Sequence, residues 1–245
     1  MTQKLAKITG QLGLRISCGK TKVMCVGKGN MAGEAIMVND ECLDEVKEFM
    51  YLGSYVENNG NVDKDIRSRL GNAGAAFEKL RCIWRSKTIG LKMKLRLYKA
   101  IVLPTALYAS ETWRITKGSG KKLDAFHMRC LRSILKIKWM DHVTNAEVLK
   151  RAEAQTLQQI ILERRLRFAG HVMRVNDDRL APHAMTWNPA NSKRRRGRPR
   201  QTWRKTVEAD LKTVSVGLHQ AAQDARDREG WKKLVARCVQ QHGRT

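Results

Sequence analysis

The residues of this sequence best suited to chemistry are cations, and the densest run is Lys193-Arg194-Arg195-Arg196-Gly197-Arg198-Pro199-Arg200. Gly197 carries no side chain and Pro199 holds the backbone extended. Arg196 and Arg198 can therefore point together into a narrow, negative groove whose floor the flat backbone approaches, as A-T-rich minor grooves are. The alternative is a nuclear-import signal or a solvated linker. Lys20 and Lys22 flank Thr21 at the mouth of a short strand. A lysine there can reach a triphosphate or a departing pyrophosphate, although two lysines beside a strand are also ordinary surface. Asp177-Asp178 is the adjacent aspartate pair. A two-metal site needs carboxylates on rigid, apolar-flanked β-structure. This pair instead lies between Arg174-Val175-Asn176 and Arg179, and reads as loop carboxylates neutralised by arginines. His171 either meets a phosphate or packs, with packing favoured. The six cysteines (Cys18, Cys25, Cys42, Cys82, Cys130, Cys238) lack the paired spacing of a zinc module or a disulfide framework. They read as buried free thiols.

Charge extends the same theme. Among 245 residues there are 48 Lys and Arg against 23 Asp and Glu, a formal net charge of +25. A compact chain with that imbalance repels itself unless a polyanion lies against it. No acid occurs before Glu34, between Glu78 and Glu111, or between Asp178 and Glu208. Such segregation makes stripes of positive potential, the footprint of phosphate-backbone binding. An anionic membrane surface is the weaker alternative, because the basic residues sit on helices whose apolar faces point to a core. The sequence shows no secretory signal and no long uninterrupted apolar run, so secretion and membrane spanning are not expected. A nuclear or cytoplasmic protein is.

The elements that must position these residues are mainly helical. A short amphipathic helix through Leu5, Ile8 and Leu12 ends at Gly13, and β-type runs follow at 22–26, 35–38 and 49–56. The last contains Phe49-Met50-Tyr51-Leu52-Gly53-Ser54, which reads as a core strand with Gly53 permitting a bulge or a close backbone approach. From Val62 onward the spacing is helical. One stripe runs through Ile66, Leu70, Ala73, Phe77, Leu80 and Trp84, and a second through Leu91, Leu95, Tyr98, Val102 and Leu103. Pro104 should kink that second helix rather than end it. A third helix is predicted over 121–137, followed by a break at 139–143. Thr144-Asn145-Ala146-Glu147 reads as a capping box. A helix over 155–175 has an apolar face and an opposite face of Arg164, Arg165, Arg167 and Arg174. Residues 187–200 are irregular, and shorter helices over 202–214, 218–226 and 231–239 close the chain. Trp203 and Trp231 fit core anchors better than base-stacking platforms. The expected fold class is mainly α with a small β portion (α+β).

In order, Gly13-Leu14-Arg15-Ile16, Lys20-Thr21-Lys22 and Phe49-Met50-Tyr51-Leu52-Gly53-Ser54 resemble the last palm motifs of non-LTR retrotransposon (LINE-type) reverse transcriptases. Arg165-Leu166-Arg167-Phe168-Ala169-Gly170-His171-Val172 and Arg195-Arg196-Gly197-Arg198-Pro199-Arg200-Gln201-Thr202-Trp203 look like that family's C-terminal tail. Ala222-Gln223-Asp224-Ala225-Arg226-Asp227-Arg228 with Trp231 looks like its closing stretch. The Arg-Gly-Arg-Pro core also resembles an AT-hook.

The resemblance covers nearly the whole chain and implies three regions. Residues 1–58 would be a palm remnant, 59–140 a helical thumb closing over a template-primer duplex, and 141–245 a basic C-terminal region with the hook-like segment 193–200. Lys20 would lie near the incoming nucleotide as an accessory to pyrophosphate departure. Phe49, Met50, Tyr51, Leu52 and Gly53 would form the primer grip. Lys22, Arg164, Arg165, Arg167, Lys193, Arg194, Arg195, Arg196, Arg198 and Arg200 would touch nucleic acid.

Ser17 stands where many relatives have asparagine. The family's catalytic aromatic-x-Asp-Asp hairpin would lie before Gly13, outside this sequence. The Mg²⁺ ions of the complete RNA-directed DNA polymerase would then have no carboxylates here. The expectation is a chain that holds RNA template, DNA primer or target DNA, takes no cofactor, small-molecule substrate or membrane, and does not polymerise alone. Two alternatives are an autonomous nuclear DNA-binding protein built from retrotransposon remains and a decayed reading frame.

Overall fold

The computed structural model describes residues 2–25, 36–38, 41–175, 179–186 and 201–243. It is mainly α with a small β portion, as the periodicities predict. Contacts divide the chain into two compact units, Met1–Asp65 and Ile66–Thr245.

The first unit begins with α1 (Thr2–Gln11), none of whose residues is buried. Gly13, at φ 74°, lets the chain turn away while the Leu14 amide donates to the Thr9 carbonyl. The strands that follow are short: β1 (Lys22–Val23), β2 (Met37–Val38), β3 (Glu41–Cys42), β4 (Asp44–Glu45), β5 (Glu48–Tyr51) and β6 (Ser54–Glu57). β1 pairs parallel with β4, and β2 and β5 pair antiparallel with β3 and β6. In the last hairpin Tyr51 faces Ser54, and the two turn residues, Leu52 and Gly53, both have positive φ. That is the left-handed two-residue turn that matches strand twist. Gly53 thus serves a turn rather than a bulge. Phe49, Met50, Tyr51, Leu52 and Val56 are all exposed, so the expectation of a core strand fails. A two-stranded ladder has two faces, and in the described part of this unit only Val38 and Leu43 are buried apolar residues.

The boundary falls three residues into α2 (Asp63–Lys79), which is followed by α3 (Arg81–Arg85) and α4 (Leu91–Leu97). A π-helical turn (Tyr98–Val102) leads into α5 (Leu103–Ala106). The wider turn absorbs the missing amide and the ring of Pro104, so the helix continues through it. A 3₁₀ turn (Ser110–Thr112) precedes α6 (Lys117–Leu135), which starts four residues earlier than its apolar stripe predicts. The reason is a reciprocal cap: the Ser119 amide donates to the Thr116 hydroxyl, and the Thr116 amide to the Ser119 hydroxyl. A 3₁₀ turn (Trp139–Asp141) occupies the predicted break and leads to α7 (Asn145–Arg151). Thr144 caps α7, but the Glu147 carboxylate pairs with Arg151 instead of completing the box. Next come α8 (Leu157–Arg174), α9 (Leu180–Thr186), α10 (Trp203–Lys212), α11 (Leu218–Asp224) and α12 (Arg228–His242).

α8 is the organising element of the second unit, packing against α6 on one side and against α10, α11 and α12 on another. Asp124 on α6 accepts from the Leu157 amide at 3.0 Å and from Gln158 Nε2 at 2.5 Å, fixing the start of α8. Leu162, Leu166 and Ala169 then bury against Val207, Leu211, Leu234 and Val235. Gly170 is required by close approach, because a Cβ there would run into the Trp231 indole. That indole donates to the Leu166 carbonyl at 3.0 Å.

Candidate nucleic-acid interface

Most cations singled out on α8 serve packing. Arg165 is buried, and its Nε donates to Asp210 Oδ2 at 2.7 Å. Phosphate contact by Arg165 is therefore corrected to a buried ion pair tying α8 to α10. Arg164 Nη1 donates to the Leu107 carbonyl at 2.7 Å, and Arg174 Nη1 to the Ala225 carbonyl at 2.9 Å. Arg167 stays exposed and pairs with Glu163 one turn earlier. The expected basic face of this helix is mostly an internal hydrogen-bonding face. A helix that packs on two sides leaves few directions free, and long arginines reach backbone carbonyls across it. His171, expected to pack, is exposed. Trp231 is buried, and Trp203 is half-buried with its indole donating to the Glu111 carbonyl at 2.8 Å.

In the first unit Lys20 is exposed in a turn, and Lys22 pairs with Asp44 at 2.5 Å across β1 and β4. That ammonium holds the Asp44 carboxyl below its usual range. Phe49, Met50 and Tyr51 lie on β5, with Leu52 and Gly53 at its turn. Asp177, Asp178, Lys193, Arg194, Arg195, Arg196, Arg198 and Arg200 lie outside the described residues. None of the six cysteines is in a disulfide. Cys130 and Cys238 are buried, whereas Cys42 and Cys82 are exposed, so a uniformly buried set is not what the chain builds. Among the described residues no group of three or more His, Cys, Asp or Glu gathers where it could hold a metal ion.

A denser set of cations lies elsewhere. Residues 79–140 carry sixteen Lys and Arg against two acids, Glu111 and Asp124, and Asp124 is engaged by the start of α8. Within this stretch, Arg81 and Arg85 on α3 and Lys136 at the end of α6 line a cleft of 540 Å³ together with Glu78 and Ser133. Its floor is Phe77 and Trp84, stacked with centroids 5.1 Å apart and the Trp84 indole donating to the Phe77 carbonyl at 2.7 Å. Arg81 and Arg85 are one turn apart and so share a face of α3. Leu80, at φ −94° and ψ 14°, separates α3 from α2. Lys136 is at φ 59°, the left-handed position that ends α6.

An adjoining cleft of 380 Å³ shares Lys136 and adds Ser86, Lys87, Gly90 and Lys94. Lys94 is only 4% exposed. Its ammonium donates to the carbonyls of Trp84 at 3.1 Å and Ser86 at 2.6 Å, and among the described residues it has no carboxylate partner. Buried charges are normally neutralised by an opposite charge. This one leaves a positive potential in the wall of a cleft that Lys87 and Lys136 also line, next to the cleft of Arg81 and Arg85. Such a site attracts a phosphate oxygen. Motif reading passed over these residues, although the acid-free run between Glu78 and Glu111 was the signal for all of them but Lys136.

Comparison with known proteins bears on origin. Over 251 aligned residues the chain is 27% identical to an uncharacterized transposon-derived protein of Caenorhabditis elegans, F52C9.6, covering 97% of this chain and 88% of that protein. A transposon origin is supported. No family model matches the chain, and no solved structure matches it. No described helix is long and apolar enough to cross a membrane.

Proposed function

We propose that this chain is a C-terminal region of a retrotransposon reverse transcriptase, and that its helical second unit holds nucleic acid by the phosphate backbone. The observation that carries the reading is the pair of adjoining clefts, in which four solvent-facing cations line the walls and a buried ammonium has no carboxylate partner among the described residues. Relatedness to a transposon-derived protein and the ordered sequence motifs supply the context. Phosphate contacts of this kind position a strand without reading its sequence. The proposed role is therefore to retain template-primer or target nucleic acid.

The test is a salt titration of the whole chain binding a short RNA or DNA. Each phosphate neutralised by Lys or Arg releases counterions, with a slope of log affinity against log salt of about −0.9 on duplex and about −0.7 on a single strand. A steep linear fall is expected. Weak binding that ignores ionic strength would end this reading.

A further inference from the structure

We propose that Trp139 stacks on an unpaired base, so that the chain recognises single-stranded nucleic acid or a frayed end in addition to duplex phosphates. This rests on the phosphate-binding reading above and names the class of nucleic acid. Trp139 is 82% exposed, whereas Trp84, Trp113 and Trp231 are buried. Its indole makes no hydrogen bond and no ring contact among the described residues, so nothing in the fold accounts for its placement.

The turn that carries it is nonetheless firmly held. The Ile137 amide donates to the Arg132 carbonyl at 2.9 Å, and the Lys138 amide to Asp141 Oδ2 at 2.7 Å. On the far side Arg132 Nη2 donates to the Val143 carbonyl at 2.7 Å and to Asn145 Oδ1 at 3.0 Å. A large apolar ring is thus presented to solvent on a preorganised backbone, which lowers the ordering cost of binding. Lys136 and Lys138 precede the ring and are exposed, with no acid partner among the described residues, while the carboxylate of Asp141 is occupied by the backbone. Lys136 also lines both clefts, and three residues of chain place Trp139 within about 11 Å of it, Cα to Cα. A phosphate at Lys136 and a base at Trp139 fall within the span of a short oligonucleotide. A basic surface with an aromatic face is the combination that holds single strands, because every base offers a π-face. An apolar protein partner would gain nothing from the flanking charge.

The experiment compares Trp139→Ala and Trp139→Phe with the parent chain, using a single-stranded oligonucleotide and a blunt duplex of equal length. Trp139→Ala is expected to lose roughly tenfold in single-strand affinity, with duplex affinity and melting temperature unchanged. Trp139→Phe should retain most of the binding while losing the tryptophan quenching that single strands produce. Unchanged single-strand affinity in Trp139→Ala, or an equal loss on both ligands, overturns the proposal. If the parent chain binds neither ligand, the phosphate-binding reading itself fails and this proposal falls with it.

Discussion

Arg165 enters the interior with one carboxylate for company, and its Nη1 has no hydrogen-bond partner among the described residues. Removing Asp210 would leave a guanidinium buried and unpaired. Asp210→Ala should therefore destabilise the chain by about 3–5 kcal/mol, whereas Arg165→Met with Asp210→Leu should cost far less, since both charges leave together. Urea melts of the two variants check this. The double variant should keep its nucleic-acid affinity, which an Arg165 that contacted phosphate would not allow.

His127 offers a second test at this scale. It is wholly buried, with Nε2 facing the Gln155 carbonyl at 3.0 Å. A carbonyl only accepts, so Nε2 carries the proton, and Nδ1 accepts from the Tyr98 hydroxyl at 2.8 Å. Burial pushes the imidazole down to about 4, below the ordinary value of about 6.5. The folded state then binds fewer protons than the unfolded one. The stability this contributes is complete above pH ~6.5 and is lost as pH falls toward 4, by roughly 3 kcal/mol. His127→Gln should flatten that part of the stability–pH curve, and urea midpoints across it would show whether it does.

At the scale of elements, the helices were legible because their cores obey a simple period. Ile66, Ala73, Phe77 and Trp84 all prove buried, as do Leu157, Ile161 and Val172 on α8. What periodicity misses is anything set by a hydrogen bond. The reciprocal Thr116–Ser119 cap extends α6 beyond its apolar stripe, and Thr156–Gln159 caps α8 in the same way. Arginines spaced along α8 looked like an outward face, yet the partners of Arg164, Arg165 and Arg174 are carbonyls and a carboxylate distant in sequence, which spacing cannot reveal. The motif from Arg165 to Val172 therefore owes much of its pattern to packing: Gly170 makes room for Trp231, and Leu166 offers its carbonyl to that indole. The short strands were the least legible. Two-residue ladders such as β1 with β4 depend on partners elsewhere in the chain rather than on any local alternation.

At the scale of the whole molecule, fourteen of the twenty-five net positive charges fall in residues 79–140. The acid-free stretch pointed to that region, but only folding brings Arg81 and Arg85 on α3 beside Lys136 at the end of α6. The most direct test is to replace Arg81, Arg85 and Lys136 together by alanine and repeat the salt titration. All three side chains lie at the surface, so circular dichroism and melting temperature should stay close to the parent's. If the cleft holds phosphates, affinity drops and the salt slope shrinks by roughly two to three. A correctly folded triple variant that keeps the parent's slope would contradict the account.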